Sequence, residues 1–343
     1  MTMHKPRSML VTGGAGFIGA NFVEHVLRTD ADVHVTTLDA LTYAGSLDNL
    51  STVIDDPRHD FVKGDITDRE LVDKLIRDRP INTVVHFAAE SHVDRSISGP
   101  AAFIETNLVG TFTLLEAARE AWLSNGTKKD VRFHHVSTDE VFGSLQEGDP
   151  PFSERTPYSP NSPYSASKAG SDHLVNAYHH TYGLPITMTN CSNNYGPYQH
   201  AEKFIPTVIR SALAEKPIPI YGAGLNIRDW LYVADHCEAI DTVVRRGRDG
   251  QTYLIGGQSE RRNIDIATEI CGILDNLRPR ASGDYAELLT SVTDRPGHDF
   301  RYAIDCSLIE KELGWKQRET FASGIRKTVD WYLANPAHFE RHS

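Results

Sequence analysis

Short apolar runs alternate with amphipathic segments through the first half of this chain. The apolar runs predict strands at 9–12, 33–38, 61–63, 83–87 and 131–137. Apolar residues at helical spacing predict helices at 17–28, 71–77 and 101–122. Strands that alternate with helices form parallel sheets that are covered on both faces. The pattern therefore predicts an α/β fold with a doubly wound parallel sheet.

Proline and glycine interrupt this rhythm in the second half of the chain. The interruptions are Pro197, Pro206, Pro217, Pro219, Gly222, Gly224, Pro279, Pro296 and Gly297. We predict one large domain over 1–190, to which some later segments return. Residues 191–343 are predicted to form mainly a smaller, mixed α/β lobe that closes over the ligand.

Composition narrows the possible partners of the chain. Its 343 residues are 40% hydrophobic and 24% charged, as is usual for globular proteins. The net charge of -11 argues against nucleic acid, whose binders carry a basic surface. The four cysteines contain no CxxC pair, which favours reduced thiols and the cytoplasm. No apolar run approaches the roughly 20 residues of a membrane span, and no histidine spacing suggests a metal site.

A glycine-rich loop joins the first predicted strand to the first predicted helix. Gly13, Gly16 and Gly19 permit a tight turn and close approach of a pyrophosphate to the helix N-terminus. This context predicts a Rossmann domain. Asp39 ends the second predicted strand, where its carboxylate can bind a ribose and repel a 2′-phosphate, which favours NAD over NADP. Asp65 is expected either at the adenine edge or as the N-cap of the next helix.

Tyr164 and Lys168 are four residues apart at the start of a predicted helix. Ser162 suits its N-cap and Pro163 its first turn, and the spacing puts both side chains on one face. A lysine ammonium beside a phenol is expected to lower the pKa of the phenol, which would make Tyr164 a usable base. The spacing alone is a weak signal, and its position after the fifth strand gives it specificity.

Two adjacent carboxylates, Asp139 and Glu140, follow Thr138 at the carboxyl end of the fifth predicted strand. Open α/β sheets bind ligands at this edge. Neighbouring carboxylates repel each other, which helps to keep one of them protonated near neutral pH. The alternative is a solvated loop pair, as in most Asp-Glu dipeptides.

Together these motifs resemble the nucleoside-diphosphohexose 4,6-dehydratases of the extended short-chain dehydrogenase/reductase family. The similarity runs nearly end to end through LTYAG (41–45), AAESHVDRS (88–96), SNNYGPY (192–198), EKFIP (202–206), RDWLYV (228–233) and DRPGHD (294–299). Phe142, where tyrosine is common in the family, and Ala223 are departures that do not affect the expected chemistry.

The resemblance implies an NAD-dependent dehydration of a nucleoside diphosphate hexose, with dTDP-glucose as the expected substrate. The residues expected to contact NAD are Gly13, Gly16, Phe17, Ile18, Gly19, Asp39, Asp65, Ile66, Ala88, Tyr164 and Lys168. Tyr164 would take the proton of the C4 hydroxyl, to which Thr138 would hydrogen-bond. Glu140 would take the C5 proton, and Asp139 would protonate the leaving C6 hydroxyl.

The same resemblance implies the residues that hold the nucleotide sugar. They are Asn193, Arg228, Asn263 and Arg295 at the diphosphate and neighbouring groups, Glu202 and Lys203 near the base, and His298 at the nucleotide. Alternatives remain for three of them: a surface salt bridge of Arg228 with Asp229, an exposed turn at Asn263, and a structural role for His298.

The helices at 101–122 and 164–182 are expected to form a four-helix bundle in a homodimer, because related enzymes dimerise in this way. Burial within one chain is the alternative. For the activity, the alternatives are a 4,6-dehydratase of another nucleotide hexose, a nucleotide-sugar 4-epimerase, and an inactive NAD-binding scaffold.

Overall fold

The computed structural model describes residues 3–124, 130–294 and 297–340. Its strands are β1 (Ser8–Thr12), β2 (His34–Asp39), β3 (His59–Lys63), β4 (Thr83–His86), β5 (Arg132–Thr138), β6 (Ile186–Cys191), β7 (Asn193–Tyr195), β8 (Ile218–Tyr221), β9 (Ile227–Tyr232), β10 (Gln251–Ile255), β11 (Glu260–Arg262) and β12 (Leu289–Val292). Its α-helices are α1 (Phe17–Thr29), α2 (Arg69–Asp78), α3 (Val93–Ser98), α4 (Pro100–Ile104), α5 (Thr111–Leu123), α6 (Pro163–Tyr182), α7 (Phe204–Leu213), α8 (Val233–Arg246), α9 (Asn263–Leu277), α10 (Ser307–Leu313), α11 (Phe321–Ala334) and α12 (Ala337–Glu340).

The large sheet has seven parallel strands in the order β10-β6-β5-β4-β1-β2-β3. Near its middle, Leu10 of β1 pairs with Thr36 of β2 and Val84 of β4. Leu10 and Val84 are fully buried, as expected for strands covered on both faces. The predicted doubly wound α/β fold is confirmed.

Helices cover both faces of this sheet. The apolar sides of α1 and α8 pack together in a core on one face, and α2, α5 and α6 contribute to a core on the other. On that second face Trp122 is fully buried, and its indole N–H donates to the carbonyl of Ile81. The single helix expected at 101–122 is instead α4 and α5, joined by a π-helical segment at Glu105–Gly110.

The later part of the chain contributes to both units. α8 and β10 belong to the large sheet and its cover, and β10 pairs with β6 across about sixty residues of intervening chain. The smaller lobe contains the mixed sheet β11-β9-β7 and the pair β12-β8, packed with α7, α9 and α11. A smaller, mixed α/β lobe is thereby confirmed, and the boundary near residue 190 stays a prediction. Within the described ranges no helix combines the length and the apolar character needed to cross a membrane.

Candidate active site

A cavity of about 330 Å³ opens at the carboxyl edge of the large sheet, beside the smaller lobe. Its walls are the loops that follow β1 to β6 together with the first turns of α6 and the segment at 199–203. Most of the predicted site residues line it: Gly13, Gly16, Phe17, Ile18, Gly19, Asp39, Asp65, Ile66, Ala88, Thr138, Asp139, Glu140, Tyr164, Lys168, Asn193, Glu202 and Lys203. The parallel sheet thus brings together residues from distant motifs.

The glycine loop has the close backbone packing that a dinucleotide cradle requires. Gly13 has φ +70°, and a Cβ there would lie 2.6 Å from the backbone nitrogen of Ala88. A Cβ on Gly19 would lie 2.2 Å from the Gly13 carbonyl oxygen. Gly16 precedes α1 without a side-chain cap, so the first-turn N–H groups of that helix are left for an anion. These residues fit a bound pyrophosphate.

The two acidic residues expected near the adenosine are held in different ways. Asp39 is buried, and its carboxylate accepts from the N–H groups of Ala15 at 2.9 Å and Leu41 at 2.8 Å. Burial raises the pKa of Asp39. Asp65 is exposed and accepts from the N–H and hydroxyl of Thr67. The helix N-cap suggested for Asp65 is wrong, because Asp68 caps α2.

The acidic pair lies on a 3₁₀ turn at Asp139–Phe142 that β5 leads into directly. Thr138 caps this turn, since its hydroxyl accepts from the N–H of Glu140 at 3.3 Å. Asp139 is 2% exposed, whereas Glu140 is only half-buried. Burial, followed by the charges of Glu140 and Asp229, raises the pKa of Asp139 well above its usual range. The turn therefore favours a protonated Asp139 beside a more accessible Glu140.

The sequence signals at the start of α6 are confirmed. Ser162 is the N-cap, Pro163 is the first helical residue, and Ser162 and Ser165 form a capping box. Tyr164 and Lys168 then lie one turn apart, and both line the cavity although they are only 8% and 4% exposed. The helix start thus holds both side chains in a nearly dry site.

The pKa of Tyr164 does not move in the expected direction. Burial and the charge of Glu140 raise it well above its usual range, although a hydrogen bond with Thr138 opposes the shift. Lys168 donates to the carbonyl oxygen of Val136 at 2.9 Å, and burial lowers its pKa. The expectation that the Tyr164 pKa is lowered beside Lys168 is therefore wrong, because desolvation of the phenol dominates.

Glu202 also lines the cavity, and a cluster of charged side chains surrounds it. Its carboxylate accepts from Arg95 at 3.1 Å and lies 3.6 Å from His92. The Arg95 guanidinium stacks on the ring of Tyr43, 3.9 Å from the ring centroid. The cluster joins the loop after β2, helix α3 and the 199–203 segment.

Three further expected substrate residues, Arg228, Asn263 and His298, do not line this cavity. Arg228 is buried, donates to the carbonyls of residues 299 and 300, and stacks over Tyr302, which is not the surface position that the alternative of a salt bridge with Asp229 required. Asn263 is the first residue of α9 and is half-buried. His298 pairs with Asp294 at 2.6 Å. Arg295 lies outside the described residues.

Comparison with known proteins shows which family this chain belongs to. The family model described as GDP-mannose 4,6 dehydratase matches residues 10–328. The chain belongs to the GDP-mannose 4,6 dehydratase family. A dTDP-glucose 4,6-dehydratase from Xanthomonas campestris pv. campestris (strain B100) is 59% identical over 330 residues, which are 95% of this chain and 93% of the relative. The resemblance seen in the sequence is confirmed.

Solved structures of this dehydratase family superpose over nearly the whole chain. The dTDP-glucose 4,6-dehydratase from Streptomyces venezuelae, solved with NAD bound, is 46% identical with a TM-score of 0.89, and the match covers 98% of this chain and all (100%) of that one. The Bacillus anthracis enzyme, in complex with NAD, is 42% identical with a TM-score of 0.87, covering 98% and 99%.

Several residues of the dehydratase site were not singled out from the sequence. Tyr43, Arg95 and His92 occur in motifs that carried the resemblance, but their clustering around Glu202 depends on tertiary structure. Asp172 was missed as well, although it lies four residues after Lys168 and therefore on the same helix face.

Proposed function

We propose that this protein converts dTDP-glucose to dTDP-4-keto-6-deoxyglucose, a hydro-lyase reaction that requires NAD. The observation that carries the proposal is the acidic pair in the same cavity as the tyrosine–lysine pair and the glycine loop. A site that only oxidises C4, or only epimerises it, does not need two further carboxylates. A site that also removes the C5 proton and expels water does.

Tyr164 is the base for the C4 hydroxyl. When bound, NAD accepts the hydride from C4, returns it to C6, and adds a positive charge that favours the phenolate. The Thr138 hydroxyl, which hydrogen-bonds with the phenol, is placed to hold the C4 oxygen. The dry surroundings of Tyr164 strengthen each of these interactions.

The two carboxyl groups divide the elimination between them. Oxidation at C4 acidifies the C5 proton, which Glu140, the more accessible of the pair, removes. Asp139 gives its proton to the departing C6 hydroxyl, which leaves as water, and C5 of the resulting 5,6-alkene is protonated again when C6 receives the hydride. The environments match these roles, because an acid must be protonated and the pKa of Asp139 is raised well above its usual range.

The cofactor site combines three features that suit NAD. The uncapped start of α1 offers N–H donors to the pyrophosphate, and the glycine loop leaves space for its approach. Asp39 presents a carboxylate to the adenosine ribose, which disfavours a 2′-phosphate. Asn193 faces the same cavity, and we assign it to the substrate diphosphate, with Glu202 and Lys203 near the base.

The direct test is to incubate the protein with dTDP-glucose and NAD and to measure the mass of the nucleotide product by mass spectrometry. Loss of one water supports the proposal, whereas an unchanged mass with a new sugar configuration indicates an epimerase. UDP-glucose, CDP-glucose and GDP-mannose serve as competing substrates. Faster dehydration of one of these would replace dTDP-glucose as the substrate while leaving the reaction type intact.

We also propose that the protein is a homodimer that forms through α4, α5 and α6. Ile104 and Phe112 are 48% and 46% exposed although both are large and apolar. On the neighbouring helix α6, the small side chains of Ala166 and Ala177 are exposed. Two copies of this helix pair would bury these side chains as a four-helix bundle.

The dimer proposal is tested by light scattering after size exclusion. Phe112→Glu is expected to convert a dimer into a monomer, while Ile54→Glu, at an exposed apolar residue away from these helices, leaves the dimer intact. A monomeric wild-type protein would exclude the bundle.

We place the protein in the cytoplasm, since its four cysteines are all free thiols.

A further inference from the structure

Three ionisable side chains follow one another along the inner face of α6. Tyr164, Lys168 and Asp172 are spaced by four residues, and each is at least nine-tenths buried against the sheet. Tyr164 and Lys168 line the cavity, whereas Asp172 lies one turn deeper, behind it. The reaction described above gives Asp172 no role, and a carboxylate without solvent needs a reason to be there.

The Asp172 carboxylate is held by hydrogen-bond donors from several elements. One oxygen accepts from His135 at 3.1 Å. The other accepts from Ser137 at 2.8 Å, Tyr158 at 2.9 Å and Asn190 at 3.2 Å. Burial would raise the pKa of Asp172, but the hydrogen bond from His135, followed by the charges of His135 and Lys168, outweighs it, so its pKa is lowered. Asp172 is therefore a charged carboxylate in the interior.

His135 does not balance that charge near neutral pH. It is fully buried, and desolvation together with the charge of Lys168 lowers its pKa to about 4. At neutral pH it is an uncharged ring that donates one N–H to Asp172. Lys168 lies one turn away on the same buried face of α6, and the charge of Asp172 opposes the lowering of the Lys168 pKa by burial.

Other titratable groups face Lys168, and none of them supplies a negative charge near neutral pH. His86 on β4 is fully buried and uncharged, because desolvation lowers its pKa well below its usual range. Cys191 on β6 is buried, which raises the pKa of its thiol and keeps it neutral. Tyr164, on the same helix, is a neutral phenol until it reacts. Asp172 is thus the carboxylate whose negative charge compensates the positive charge of Lys168.

We propose that Asp172 is the counter-charge that keeps Lys168 an ammonium group in the dry interior, and that it is thereby a positioning residue for proton transfer at Tyr164. The inference rests on the proposed function for its effect on catalysis. The pairing of the two charges does not depend on the substrate.

The test is Asp172→Asn, which removes the charge and keeps the shape. The ring of His135 can exchange its tautomer to accept from the new amide, because its other nitrogen, Nδ1, has no partner among the described residues. Without the carboxylate, Lys168 loses its proton at lower pH. The alkaline limb of kcat/KM is expected to move down by at least about one pH unit.

The alkaline limb of kcat/KM also reflects Asp139, which must stay protonated during turnover. The titration of Lys168 therefore has to be measured directly. NMR of the protein carrying ¹³Cε-lysine follows all 11 lysines, and the signal of Lys168 is identified by its absence in Lys168→Met. In Asp172→Asn this signal should titrate at lower pH than in the wild type. Tyr158→Phe removes a hydrogen bond to the same carboxylate without removing charge, and it should leave the titration in place.

Coincident titrations of Lys168 in the wild type and in Asp172→Asn would overturn the proposal. This readout needs no substrate, so it stands even if dTDP-glucose is not converted, in which case only the proposed function fails. If Asp172→Asn folds poorly, the proposal is tested by the unfolding free energy of the double variant Lys168→Met/Asp172→Asn, compared with those of the two single variants. The proposal expects the double variant to be more stable than the sum of the single effects predicts, and additive effects would contradict it.

Discussion

The ammonium group of Lys168 donates a hydrogen bond to the backbone carbonyl of Val136, with 2.9 Å between the nitrogen and the oxygen. Val136 lies two residues before Thr138, at the end of β5. The bond therefore connects α6, which carries the tyrosine–lysine pair, to the strand that leads into the acidic pair. One hydrogen bond thus holds the tyrosine–lysine pair and the acidic pair in position relative to each other.

Replacing Tyr164 by phenylalanine should remove the base for the C4 hydroxyl and little else. The phenol hydrogen-bonds with Thr138 at the end of β5, so its loss should lower the unfolding free energy by about 1 kcal/mol. We expect kcat to fall by at least about a hundredfold, while NAD still binds. Steady-state kinetics and NAD titration check this, and an unimpaired kcat would remove Tyr164 from the mechanism.

Asp139→Asn should separate proton removal from water loss. An amide cannot supply the proton for the C6 hydroxyl, so dehydration should slow by about 10²–10⁴-fold. Glu140 still removes the C5 proton, so dTDP-glucose recovered from D₂O should carry deuterium at C5. NMR of the recovered substrate gives the result, and a normal dehydration rate would show that another group is the acid.

Gly13→Ala and Gly183→Ala form a matched pair, since both glycines have φ close to +70°. A Cβ at Gly183 would meet nothing within 4 Å, so alanine should cost about 1 kcal/mol of unfolding free energy. At Gly13 it would meet the Ala88 backbone at 2.6 Å, which adds a further cost of about 1–3 kcal/mol and weakens NAD binding. Urea unfolding and NAD titration compare them. Equal losses would mean that the glycine loop is not closely packed.

Stability should fall in mild acid, in part through His4. This buried ring contacts Asp130 at 2.9 Å and Thr83 at 2.8 Å, and burial followed by the charge of Arg132 lowers its pKa to about 4. The unfolded chain binds the proton at about pH 6.5, so the unfolding free energy falls as pH drops from there towards the folded pKa.

The contribution of His4 to that loss should be on the order of a few kcal/mol. His4→Gln should flatten the dependence of the unfolding free energy on pH between those two values. His34→Gln, at an exposed residue, serves as the control for a histidine-to-glutamine substitution outside the core. Equal slopes for His4→Gln and the wild type would contradict the assignment.

Local patterns predicted the elements that carry the chemistry. The cap at Ser162 and the proline after it define the start of α6, and glycine spacing defines the loop before α1, because these signals act over one helical turn. The pairing of β10 with β6 depends on contacts between distant segments, so periodicity could not reveal it.

The electrostatics of the site were harder to foresee. The i, i+4 spacing placed Lys168 near Tyr164, but it gives no information on the solvent exposure of the two side chains. Desolvation sets the direction in which the pKa of the phenol moves. The donors around Asp172 come from β5, β6 and the segment before α6, and only the folded chain brings them together. Adjacent charges were visible in the sequence, and their burial was not.

The most direct test of the account is the fate of the C5 proton during turnover in D₂O. The wild-type protein, given dTDP-glucose and NAD, should release a product that has lost one water and carries one solvent deuterium at C5. Glu140→Gln, a near-isosteric change, should abolish both the dehydration and the incorporation of deuterium into recovered substrate while NAD binding persists. Undiminished C5 exchange in Glu140→Gln would contradict the division of labour between the two carboxylates.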